Sequence, residues 1–172
     1  VSSLLRTQFE WFYPLSEQHQ IQFKIDAPKE LYWNTDSVYF KKILANLISN
    51  AFKYTEDGGT VRISLHEEEN FLVLKVYNTG KGIEEADMQN IFDRYRILGT
   101  MDNDDNRQNT ARNGLGLFIC HSLVQSLGGK IDIESEVGQY AEFTVTLPFG
   151  IVEESSDDTI DEDIPVSLPS PN

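Results

Sequence analysis

The 172-residue chain has a single cysteine, Cys120, so an internal disulfide is excluded and a reducing compartment suits it. No apolar run approaches the length of a membrane span, and the N-terminus lacks the basic-then-apolar pattern of a signal peptide. These absences predict a soluble chain or the soluble piece of something larger. Cations are scarce, with 14 Lys and Arg against 28 Asp and Glu and a net charge of −14. Half of that excess sits in residues 151–172, which hold seven acidic residues and no Lys or Arg. The remainder is only moderately acidic and carries no basic stripe, which excludes a nucleic-acid partner. There are no internal repeats. What is present is a 40% apolar content, enough for one ordinary domain with a real core.

The elements follow from period and punctuation. Leu4, Leu5, Phe9 and Phe12 share one face of a helix over 1–18, which Pro14 is expected to kink or end. "IQFKIDAP" at 21–28 alternates as a half-buried strand, with a short strand or extended piece at 31–35. Asp36 or Ser37 can N-cap a helix to about Tyr54 whose apolar stripe is Phe40, Ile43, Leu44, Leu47 and Ala51. Strands are expected at 60–66 and 71–77, joined by "EEEN" as a hairpin connection. A short helical segment covers 84–93, and the almost wholly polar residues 99–113 read as a mobile loop of the kind that is usually functional or disordered. Residues 114–129 read as a helix stopped by Gly128 and Gly129. Strands at 130–135 and 141–147 then close the domain at Pro148. The acidic tail cannot bury a core and reads as a flexible linker or end.

Some residues are out of place for a bland fold. In "NLISNAFKYTEDGG" (46–59), Asn46, Asn50 and Lys53 stand at i, i+4 and i+7, beside the apolar stripe. Asn is a mediocre helix former, so its repetition suggests a face with a use, although the same spacing suits a solvated face. An amide oxygen such as that of Asn50 can serve Mg²⁺, which prefers oxygen ligands and bridges phosphates. Lys53 could neutralise phosphate charge. Gly114, Leu115 and Gly116 open a helix after a polar loop, where unpaired N–H groups and the positive dipole end favour an anion. Asn113 could cap that helix or touch a ligand.

Taken together, "NLISNAFKYT", "NTGKGI" (78–83), "IFDRY" (91–95) and "NGLGL" (113–117) resemble the N, G1, F and G2 boxes of sensor histidine kinases, in the same order. Those proteins share an ATP-binding superfamily with gyrase, Hsp90-type chaperones and mismatch-repair ATPases. The resemblance covers about residues 20–148. It implies an α/β fold, a two-layer sandwich of a mixed sheet and about three helices with ATP between them. It implies Asn50 as Mg²⁺ ligand, Asn46 beside it near the phosphates, Lys53 on phosphate and Tyr54 near adenine or ribose. Asn78 falls where an Asp accepts a hydrogen bond from the adenine amine, with Gly80, Gly82 and Ile83 shaping that pocket. Arg94 matches an Arg that can reach the γ-phosphate, residues 94–113 match the ATP lid, and Asn113, Gly114, Leu115 and Gly116 match the phosphate-facing turn.

The departures are informative. Asn78 can still accept from an amine but loses the charge-assisted part of the bond, which is about twice as strong. A Glu acting as general base stands at the Asn46 position in superfamily members that hydrolyse ATP unaided, and Asn46 cannot do that work. None of His19, His66 and His121 sits in the acceptor context of the family, in which an acidic residue follows the His and a Pro comes four or five positions later. The implied protein is therefore a kinase catalytic domain whose acceptor His lies on a separate dimerisation domain, with a response regulator or receiver downstream. In that scheme residues 1–18 are the end of a dimerisation or connecting helix, 19–149 the catalytic domain and 150–172 the tail. The intact protein would be a homodimer, with this part cytoplasmic and any membrane contact made by other parts. The competing readings are a degenerate nucleotide-sensing or docking module of a signalling protein and, behind it, a self-sufficient ATPase of the same superfamily.

Overall fold

The Asp36 carboxylate sets the start of the central helix, accepting from the backbone N–H groups of Val38 and Tyr39 at 2.8 and 2.9 Å. The computed structural model describes residues 1–93 and 115–150. In them the helix capped by Asp36 runs Ser37–Tyr54 (α2), preceded by α1 (Ser2–Gln18) and β1 (Gln22–Asp26). Then follow β2 (Thr60–Glu68), β3 (Phe71–Thr79), a single helical turn α3 (Glu85–Met88), α4 (Gly116–Ser126), β4 (Lys130–Glu136) and β5 (Tyr140–Pro148).

The strands form one sheet in the order β1-β2-β3-β5-β4. β1 and β2 are parallel, as their connection through α2 requires, and the other pairs are antiparallel. The helices lie against one face, α1 by β1, α2 over β3 and α4 by β4. Alternation then sorts the side chains. Ile63, Val76 and Phe143 stand in one register row beneath the helices, and Leu65, Leu74 and Val145 in the next. Facing them, Phe40, Ile43, Leu44, Leu47 and Ile48 of α2 are fully buried. Each such side chain contributes about 1.5–3 kcal/mol of hydrophobic stabilisation. The result is the expected two-layer α/β sandwich.

Several local expectations change. α1 continues through Pro14 to Gln18, and its Leu5 is buried in the common core. Pro14 removes an amide that would have bonded one turn back, and the packing of α1 on α2 and β1 carries the helix past it. Residues 31–35 form no strand. They are tied to the end of β5 instead, with Trp33 Nε1 donating to the Pro148 carbonyl at 3.0 Å and Asn34 bonded to Gly150 at 2.7 and 2.9 Å. The β2–β3 connection is tighter than "EEEN", because Glu69 and Asn70 both adopt positive φ, as a two-residue hairpin turn requires. His66 lies two residues inside the end of β2. The segment at 84–93 is helical only over Glu85–Met88 and continues as turns.

Candidate functional site

Asn78 is the polar exception in an apolar row. Its register partners are Val61 and Ala141, so it lies on the helix-facing side of the sheet and is only 4% exposed. A buried amide without partners costs about 1–3 kcal/mol. Its Nδ2 donates to the Thr79 carbonyl at 3.1 Å. Reversing the amide would set two oxygens against each other, so Oδ1 is the acceptor that Asn78 can offer to the space above it.

That space is a cavity of about 300 Å³. Asn50 and Tyr54, one turn apart near the end of α2, line one side, and Asn78, Ala141 and Phe143 of the sheet line another. Gly82, Ile83 and Val137 complete its apolar lining, while Lys81, Glu84 and Asp87 supply charge. The segment after β3 is held against the β4–β5 turn. The Gly80 amide donates to the Gln139 carbonyl at 3.0 Å, and the Gly138 amide donates to the Lys81 carbonyl at 2.7 Å. The Ile83 amide donates to Ser135 Oγ at 2.8 Å.

Two glycines make this approach possible. A Cβ at Gly80 would lie 2.2 Å from the Tyr54 carbonyl oxygen, and one at Gly82 would lie 2.3 Å from that of Glu136. Gly82 also has φ +66, which L side chains rarely adopt. The wall is therefore set by backbone contact.

The structure brings Asn50, Tyr54, Asn78, Gly82 and Ile83 into one cavity, with Gly80 at its edge. Asn46 lies toward α4, its Oδ1 3.4 Å from where a Cβ of Gly116 would stand. Leu115 is the N-cap residue of α4 and makes no side-chain cap bond among the described residues. Lys53 is exposed, with Nζ 5.0 Å from the centroid of the Tyr54 ring, and does not line the cavity. Arg94, Asn113 and Gly114, with the lid expected at 94–113, lie outside the described residues, as do the loop at 99–113 and residues 151–172 of the tail.

Sequence reasoning did not single out Lys81, Glu84, Asp87, Val137, Ala141 or Phe143. Ala141 and Phe143 look like ordinary inward positions of a strand, and only the tertiary register puts them under the cavity. Lys81 lies between the two glycines of "NTGKGI" and was within reach of the motif. Cys120 is no nucleophile candidate, because burial pushes its thiol up to about 12.

The donor set suits a nucleotide with Mg²⁺. An apolar slot with one oriented amide acceptor fits a flat heteroaromatic ring bearing an exocyclic amine. Among the described residues no group of three or more His, Cys, Asp and Glu could hold a metal. Mg²⁺ does not need one, since it commonly uses one or two protein oxygens together with phosphate and water. Asn50 fits that role.

A mixed sheet covered on one face by helices, with a cavity between helix and sheet floored by Asn78, defines an ATP-binding sandwich. The chain belongs to the histidine kinase-, DNA gyrase B- and HSP90-like ATPase family, whose model matches residues 35–151. The sensor protein SrrB of Staphylococcus aureus is 36% identical over 120 residues, covering 70% of this chain and 20% of SrrB. The chain thus spans about a fifth of the length of such curated relatives. The catalytic domain of the histidine kinase ThkA aligns with TM-score 0.72 and 26% identity, over 87% of this chain and 92% of that one. Full-length ShkA in complex with AMPPNP aligns with TM-score 0.70 and 26% identity, over 86% of this chain and 30% of that one. ThkA in complex with the response regulator TrrA shares the fold, with TM-score 0.68 and 22% identity over 87% of this chain and 40% of that one.

Proposed function

We propose that this chain is the ATP-binding catalytic domain of a two-component sensor histidine kinase, and that it passes the γ-phosphate of ATP to a His on a separate dimerisation domain. The observation that carries the reading is the cavity in which Asn50 and Tyr54 of the N box meet Asn78 and Gly82 of the G1 box. Two segments separated in sequence converge on one site with the chemistry that the motifs imply.

In this mechanism Asn78 Oδ1 accepts from the adenine amine and fixes the base. Tyr54, Ile83 and Phe143 exclude water around the ring. Asn50 Oδ1 would hold Mg²⁺ that arrives with the nucleotide, and the ion would supply positive charge against the phosphates. Lys53 would add positive charge near the phosphates and the start of α4 at Leu115 and Gly116 would face them, with Arg94, Asn113 and Gly114 assigned to the same task by the motifs alone. Phosphoryl transfer is mainly positioning and charge stabilisation, with one group needed to manage the proton of the nucleophile. Asn46 is not a base, so water is not activated from that position and the nucleophile is left to a partner.

On this reading the kinase partner is the dimerisation domain of the same protein, and the later acceptor is a response regulator or receiver, as ThkA binds TrrA. The intact protein is a homodimer with this part on the cytoplasmic side. Among the described residues no helix is long and apolar enough to cross a membrane. A nucleotide-sensing module is the second reading, favoured by Asn78 in the place of an Asp.

Mixing the chain with Mg-ATP and a His-bearing dimerisation domain separates the readings. Phosphohistidine on the acceptor is the expected result. Steady phosphate release without the acceptor would identify an ATPase instead, and nucleotide binding with neither product would identify the module.

A further inference from the structure

A second concavity lies on the helix layer and is lined by none of the residues assigned to nucleotide. It is a groove of about 460 Å³ between α1 and α2, lined by Gln8, Trp11, Phe12, Leu15, Lys41 and Ala45. Phe12 forms its floor, stacked on Phe52 of the core with ring centroids 5.4 Å apart. Trp11 is 77% exposed and Leu15 37% exposed. An exposed Trp beside a Leu and a Phe is the composition of an interaction site rather than of a solvated face.

The charge on its lining has one sign. Lys41 lines the groove and Lys42 comes next in sequence, whereas the acidic residues of α1, Glu10 and Glu17, project from the opposite side of that helix at 100° per residue. The groove therefore suits a segment that is acidic and apolar together. Residues 160–168, "IDEDIPVSL", have that composition, with Ile160, Ile164, Val166 and Leu168 among Asp161, Glu162 and Asp163. Connectivity puts the groove within reach of this segment. Gly150 is bonded to Asn34 through both backbone and side chain, and Asn34 lies two residues before Asp36, the cap of α2. Lys41 is about 8 Å further along the helix at 1.5 Å per residue. The nine residues 151–159 can span roughly 30 Å when extended.

We propose that residues 160–168 of this chain's own acidic tail dock in the groove between α1 and α2. The apolar side chains cover Trp11, Phe12 and Leu15, and the carboxylates face Lys41 and Lys42. Tethering at Asn34 makes the contact intramolecular, which raises the effective concentration of a weakly binding segment to roughly the millimolar range. A domain joined to the tail in a longer protein would then be held to the helix layer, on a surface separate from the nucleotide cavity.

The test uses the full 172-residue chain. The indole N–H resonance of Trp11 and the amide of Ala45 are compared between the native chain and an Ile160→Ser, Ile164→Ser, Leu168→Ser variant, at low and high protein concentration. The expected result is a shift of both resonances in the variant that is the same at either concentration. Lys41→Glu should reproduce the shift, and reversing Asp161 and Glu162 to Lys in that background should restore the native positions. Identical spectra in native chain and variant would overturn the proposal, because the groove would then not hold the tail. Shifts that grow with concentration would also overturn it, by identifying a second copy as the occupant.

Discussion

The cavity and the groove flank the same helix, yet they are made differently. The cavity depends on backbone approach: Gly80 and Gly82 bring the segment after β3 against Tyr54 and Glu136, and buried Asn78 is oriented by the Thr79 carbonyl. The groove lies between two helices, with an exposed Trp11 and the long side chain of Lys41 on its lining. A wall fixed by backbone presents the same shape before and after a ligand enters, which suits recognition of a small rigid molecule. A wall of flexible side chains suits a peptide. The difference predicts that single substitutions should damage the cavity severely and the groove mildly.

The largest effect is expected at Gly82. Gly82→Ala combines a left-handed φ with a Cβ 2.3 Å from a carbonyl oxygen, and should cost about 3 kcal/mol in urea unfolding. Gly138→Ala is the sharper half of this test. That glycine has φ +78 but nothing within 4 Å of an added Cβ, so only about 1 kcal/mol should be lost. Equal losses would show that backbone approach is not what shapes the wall.

Next comes Asn50→Ala. Phosphotransfer to a separate His-bearing domain should fall on the order of 100-fold. Thermal melting should change little, because Asn50 is only half-buried. An unchanged transfer rate would remove Asn50 from the metal-ligand role. Asn78→Asp should act in the opposite direction, tightening ATP binding about fivefold by restoring a charge-assisted bond. The apo protein should lose stability at the same time, since a carboxylate would replace a buried amide. Weaker ATP binding in a folded variant would contradict the assignment of Oδ1 as the acceptor.

The smallest effect lies outside both concavities. Tyr140 donates to Glu134 Oε1 at 2.6 Å, and this bond, reinforced by neighbouring carboxylates, pushes its phenol up to about 12 from 10. The folded state then keeps a proton that the unfolded chain loses first. The associated stability is present below pH 10 and lost as pH rises to 12. Tyr140→Phe should lower melting slightly at neutral pH, where the bond to Glu134 is intact, and flatten the decline above pH 10. A persisting decline would assign it to other groups.

Much of the layer structure was legible in the sequence because it rests on period alone. The apolar stripe of α2 and the alternation in β2, β3 and β5 each specify which side chains face the core, and those positions are buried. The meeting of Asn50, Tyr54, Asn78 and the two glycines at one cavity was legible because the motifs that hold them stand out on their own. It was not legible where position depends on register between distant strands, so Ala141 and Phe143 looked like plain core. Pro14 does not end α1, because local propensity is outweighed by packing of the helix on its neighbours. At residues 31–35 only the strand alternative fails. They have strand-like composition, but their polar groups bond to the end of β5 rather than to a strand ladder.

Calorimetric titration of the chain with Mg-ATP, run beside Asn50→Ala, is the most direct measurement of the central claim that the cavity beneath α2 is a nucleotide site. The account predicts saturable one-to-one binding by the native chain and a marked loss in the variant. No saturable heat from the native chain, or equal binding by both, would contradict it.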